Sequence, residues 1–311
     1  DEIIENDNND GSEPVDEDNF IPECTEGASE SADCETTGKQ IRTCVEGSWS
    51  EFGECIDINA EVIDIADNSD CANVYWADRG DAPAAYIKGM GLTFAGAVCN
   101  ITRSDVATVS QAKTDDLLHD ALAWYDDADI FSNLGMSNDT AGIDTLRHAY
   151  TLLIGLGMRE SSGEHCCGRD TSASNTTADT AEAGLFQTSY NSHVFSTELD
   201  TLYSYWKDVK TLTPEKCLLE VFSQNVTCDA DNWENFGVGE GVIFQALEKE
   251  CPIFAAEYAA VMLRVSGGSK GHYGPLRRHE AEVRTECDTM LGEIEQLMID
   301  NSDFCQFLVN Y

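Results

Sequence analysis

The sequence predicts a mainly α-helical protein, a large helical domain preceded by a small disulfide-stapled module and an acidic linker. Three observations carry this. Beyond Cys71, apolar residues recur at helical spacing, and the one short hairpin suggested lies near 166–182. Before it, Cys24, Cys34, Cys44 and Cys55 fall at nearly even intervals in a segment with few core formers. Acidic, core-poor stretches flank that segment on both sides.

Residues 1–22 read as an acidic disordered tether, because they contain too little apolar surface to offset the entropy of folding. Residues 23–56 are too few to bury a core, so two disulfides are expected to hold them. The ending Cys44 to Cys55, with Trp49, Phe52, Gly47 and Gly53 inside it, resembles a minimal thrombospondin-type extracellular repeat. That resemblance implies cell-surface or matrix contact through residues 23–56; a plain spacer is the alternative. Residues 57–70 read as acidic linker and 71–311 as the main domain. Within it the spacing predicts helices over 115–131, 144–159, 199–209, 214–222, 241–249, 251–265 and 275–298. Asp139 or Thr140 is placed to cap the second of these, and Pro252 suits the first turn of the sixth.

Composition narrows the function. There are 18 Lys and Arg against 58 Asp and Glu, a formal charge of -40. Nucleic acid and anionic lipid would both be repelled; the charge reads first as a solvated acidic surface that keeps the chain soluble, with attraction of a cationic substrate as the alternative. The longest apolar run, Ala149 to Met158, is too short to cross a bilayer, so no membrane insertion is expected. The chain opens on Asp1 and reads as a mature form whose export signal has been removed. Thirteen Cys residues agree with secretion or a cell-surface location; the odd number leaves at least one free or paired with another chain. Cys166 and Cys167 are adjacent, so each is expected to reach a distant partner or one to be the free thiol. Asn100, Asn138, Asn175 and Asn225 head glycosylation sequons, a pattern that chance also yields in an Asn- and Thr-rich chain.

The chemistry concentrates in one stretch. Glu160 follows the apolar run Thr151 to Met158, so it would emerge from a buried helix at a cleft wall. Burial raises a carboxyl's pKa, which is what a proton donor to a glycosidic oxygen needs. Gly163 lets the chain turn away, and Gly184-Leu185-Phe186-Gln187 follows after a polar loop. This layout resembles the goose-type lysozymes and lytic transglycosylases of the lysozyme-like superfamily. Glu160-Ser161 matches their Glu-Ser element, and Gly184 to Gln187 their Gly-Leu-Met-Gln, with Phe for Met. The resemblance implies a lysozyme-like helical domain with Glu160 as catalytic acid and Ser161 and Gln187 along the cleft. Family members also carry an Asp two residues after the Gln, where this chain has Ser189, counted here as substrate-binding. A second carboxylate must then come from the loop, and Asp170, Asp179 and Glu182 are the candidates. Lytic transglycosylases need none, because an internal sugar hydroxyl replaces water; the three loop acids favour hydrolysis.

Aromatic faces pack on sugar rings, which nominates Tyr190 first, then Trp233, with Tyr203, Tyr205 and Trp206 as further choices that core packing also explains. The 271–279 cluster, with Arg277 and Arg278, either holds a substrate carboxylate or pairs with surface acids. His165, His193 and His272 have no metal-ligand spacing, so neither metal nor cofactor is expected. The expected activity is a secreted glycosidase on β-1,4-linked N-acetylhexosamine polymers, peptidoglycan first and chitin or chitosan second. The alternative is a non-catalytic glycan-binding or extracellular structural protein on the same scaffold.

Overall fold

A computed structural model describes residues 22–35, 37–171, 176–229 and 233–309. The tether expected at 1–22 falls, but for its last residue, outside them. The chain divides into two compact units, Asp1–Ile56 and Asp57–Tyr311.

The first unit is a three-stranded antiparallel sheet of β1 (Ser29–Cys34), β2 (Gly38–Val45) and β3 (Ser48–Trp49), in that order. Glu46 and Gly47 both take positive φ, which gives the two-residue turn that matches strand twist between β2 and β3. As expected, two disulfides hold it, Cys24–Cys44 and Cys34–Cys55. Gly38 is required beneath the second: a Cβ there would lie 2.6 Å from the Cys55 sulfur. Arg42 lies over Trp49 and Phe52, 5.0 and 4.7 Å from the ring centres, and forks onto Glu30.

The second unit is helical and begins earlier than the sequence suggested. The supposed linker 57–70 folds as α1 (Ile58–Asn68), capped by Asp57, whose carboxylate accepts from the Ala60 amide at 3.1 Å. Its acids face outward while Ile58, Val62 and Ala66, spaced by four, are buried against α2 (Ala84–Cys99). The acidic composition masked a single apolar stripe. Helix α2 itself is buried almost throughout and includes three glycines. At Gly89 a Cβ would stand 2.3 Å from Phe222, so the missing side chain is what admits that ring.

Short helices α3 (Ser104–Val109), α4 (Ala121–Asp127) and α5 (Ile130–Asn133) follow. The single helix expected over 115–131 is therefore broken, because Asp120 caps α4 and accepts from the Leu122 amide. Helix α6 (Ile143–Ser161) is the predicted central helix. Neither Asp139 nor Thr140 caps it; Gly142 occupies the cap position, and the Thr140 carbonyl instead accepts from the Thr145 hydroxyl. Helices α7 (Thr197–Leu212), α8 (Leu219–Phe222), α9 (Glu240–Glu250) and α10 (Pro252–Ser266) complete the central packing, with Pro252 in the first turn of α10. The helix expected over 275–298 is two, α11 (Gly274–Arg277) and α12 (Thr285–Asp300), separated by the 278–284 strap. Two α10 side chains tie down loops. Buried Arg264 donates to Asp120 and to the carbonyls of Val109, Gln111 and Ala112, and buried Glu257 accepts from Arg103 and the Trp206 indole.

Four disulfides staple this unit: Cys71–Cys287, Cys99–Cys305, Cys166–Cys228 and Cys217–Cys251. Cys167 is the free thiol of the adjacent pair. No helix among the described residues is long and apolar enough to cross a membrane. Asn138 is fully buried, its side chain bonded to His148 at 3.0 Å, so that sequon has no room for a glycan in the folded protein. Asn175 lies outside the described residues.

Candidate active site

Helix α6 packs closely because its glycines admit a neighbouring backbone at one position and a neighbouring side chain at the other. A Cβ on Gly155 would lie 2.0 Å from the Glu282 carbonyl oxygen, and one on Gly157 would lie 2.2 Å from the Tyr86 hydroxyl. That hydroxyl in turn donates to the Ile154 carbonyl at 2.9 Å. The helix ends at Ser162, φ 57°, and Gly163, φ 78°, whose amides return to the carbonyls of Met158 and Gly157. Glu160 therefore stands in the last turn of a rigid, buried helix, half-buried where the helix reaches the surface.

The second element of the motif is a tight turn. Ala183 and Thr188 exchange backbone hydrogen bonds across it, at 3.1 and 3.3 Å. Gly184, φ 75°, rests on α9, where a Cβ would meet the Glu248 carbonyl oxygen at 2.7 Å. Leu185 and Phe186 are fully buried, and Gln187 folds its amide back to donate to the Gly184 carbonyl at 3.1 Å. The hairpin expected near 166–182 is replaced by this later turn; the described residues of 166–182 pair in no ladder.

A cleft of about 510 Å³ brings Glu160, Asp170, Glu182 and Gln187 together. Burial pushes the Glu160 carboxyl up to about 8; Glu182 adds to the rise, while Arg79, Arg278 and Arg277 oppose it. Glu160 is thus a neutral acid near pH 7, with a second carboxylate close enough to be felt.

Other candidates fall elsewhere. Asp179 is exposed in a 3-10 turn and does not line the cleft, because that turn packs against α9. Ser161 is buried and donates to the Gly157 carbonyl; one step beyond Glu160 on the helix, it turns inward. Ser189 is buried and donates to Asn191. Tyr190 stacks on His193, with ring centres 4.4 Å apart, and packs beside Tyr203 and Phe244, so it belongs to an aromatic cluster rather than to the cleft wall. Trp233 sets its edge against His165 at 5.7 Å, also away from the lining. The basic cluster divides its two readings. Arg277 clamps the carbonyls of Gly271 and His272, while Arg278 reaches the cleft and forks onto Glu280.

Sequence reading missed the cleft's other cations. Arg79 comes from the hairpin of β4 (Tyr75–Trp76) and β5 (Gly80–Asp81), distant in sequence. Arg159 precedes Glu160, and Arg169 precedes Asp170; each adjacency was visible but carried no distinctive spacing.

Sulfur and imidazole offer little chemistry. His165, Cys166 and Cys228 cluster closely enough to hold a metal, but both sulfurs are spent in a disulfide. Cys167 lines the cleft, with burial and then Glu164 pushing its thiol pKa up, the reverse of an activated nucleophile. No protein-family model, curated protein or solved structure matches the chain.

Proposed function

We propose that this chain is a secreted glycoside hydrolase that cleaves β-1,4-linked N-acetylhexosamine glycans, peptidoglycan first, with Glu160 as general acid. The observation that carries the reading is a carboxyl held neutral at physiological pH, fixed on a buried helix end, in an open cleft with Asp170 and Glu182. Glu160 donates its proton to the glycosidic oxygen as the bond breaks. Glu182 or Asp170 then meets the developing oxocarbenium charge or orients the attacking water. Gln187, locked into its turn, offers part of the floor along which the sugar lies. The resemblance in Glu160-Ser161 and Gly184 to Gln187 supports the same lysozyme-like reading, and six disulfides are consistent with an extracellular setting.

Mass spectrometry of peptidoglycan and chitin oligomers after incubation with the purified chain tests this. New reducing ends establish hydrolysis, and anhydro ends establish transglycosylation. Oligomers that stay intact from acidic to mildly alkaline pH overturn the proposal.

A further inference from the structure

The chain has 58 acidic residues against 18 basic ones, yet its cleft collects Arg79, Arg159, Arg169 and Arg278. Arg159 is anchored by donating to the Ala77 carbonyl, and its Nε is buried without a partner among the described residues. Arg278 forks onto Glu280 at the rim, its side chain more than half exposed. The Arg79 side chain is exposed and has no hydrogen bond or ion pair among the described residues. An exposed cation in a cleft, set beside two arginines held by neighbours, is a preformed site for a planar or tetrahedral anion.

The geometry points to an anionic substituent, a carboxylate or a sulfate, carried by the sugar beside the bond that Glu160 addresses, with Arg79 as the residue that selects it. This rests on the glycosidase reading of the same cleft. It reverses the preference that net charge alone suggests. An arginine–anion contact acts at hydrogen-bond distance, well inside the Debye length of about 8 Å at physiological salt, while repulsion from acids farther away than that is largely screened. Asp170, Glu182 and Glu280 line the same cleft and oppose an anion at short range, so the contact with Arg79 has to outweigh them.

The test is binding of four chito-oligosaccharides of equal length to the full chain carrying Glu160→Gln, which blocks turnover: neutral N-acetylated, cationic deacetylated, lactyl-carboxylated and O-sulfated. At least one anionic ligand is expected to bind about tenfold more tightly than the neutral one. Which of the two does so identifies the substituent. Arg79→Gln, an exposed change that circular dichroism should show to fold normally, is expected to remove most of that preference, read as the ratio of anionic to neutral affinity. Equal or tighter binding of the neutral or cationic ligand overturns the inference, as does an anionic preference that survives Arg79→Gln. The two readings fail separately. An Arg79-dependent preference without turnover by the unsubstituted chain leaves the anion site standing and removes the enzyme. Turnover of neutral and anionic glycans alike does the opposite.

Discussion

A carboxyl with a pKa of about 8 donates a proton across most of the physiological range and stops only when it ionises. Turnover should therefore hold through neutral pH and fall on an alkaline limb at about pH 8. Because Glu182 contributes to the rise, Glu182→Gln should lower the pH at which the Glu160 carboxyl ionises. A Glu160 carboxyl resonance whose titration in NMR stays in place would show that Glu182 does not act on Glu160. The same shift has a stability sign. In the window between an ordinary glutamate pKa and about 8, the unfolded chain releases a proton that the folded chain keeps. Stability therefore falls as pH rises through that window and levels off above it. Glu160→Gln removes this penalty and should raise stability at pH 8 by about 1–2 kcal/mol in denaturant titration, while leaving it unchanged well below the window. A variant destabilised at that pH would mean that the carboxylate is better solvated than its position implies.

At the scale of elements, the site depends on how closely α6 approaches its neighbours. Gly155→Ala would drive a methyl into the Glu282 backbone, which cannot yield as a flexible side chain can. The expected loss is about 2–4 kcal/mol, read as a lowered denaturant midpoint; a loss below about 0.5 kcal/mol would contradict the close packing. Helices α6 and α10 were legible in sequence because each is a long apolar run with breakers beside it. Helix α2 was not, since Gly89, Gly91 and Gly96 weaken a helical reading, and only the packed Phe222 and Ile294 explain the first two. The 275–298 pattern kept its apolar spacing but concealed the 278–284 strap, which exists because Gly155 leaves it a place. Within the site, Glu160, Glu182, Asp170 and Gln187 were legible from local order. Arg79 was not, because a tertiary contact alone brings the 75–81 hairpin to the cleft.

For the whole molecule, the termini of the helical unit are tied by long covalent loops. Cys71–Cys287 spans 216 residues and Cys99–Cys305 spans 206. Such closures restrict the unfolded chain most, so replacing Cys71 and Cys287 together by Ser should cost about 2–5 kcal/mol. An unchanged melting transition would show that the packing of α1, α2 and α12 suffices without the bond. The even Cys spacing announced disulfides in the first unit, but pairings as distant as these require the fold before they can be assigned. The central claim concerns one oxygen-bound proton. Its most direct test is the turnover of peptidoglycan and chitin oligomers by Glu160→Gln beside the unsubstituted chain, with both shown to be folded. The unsubstituted chain should cleave, and the variant should lose at least about a thousandfold in kcat, as expected when a general acid is removed. Near-normal turnover by the variant would contradict the account.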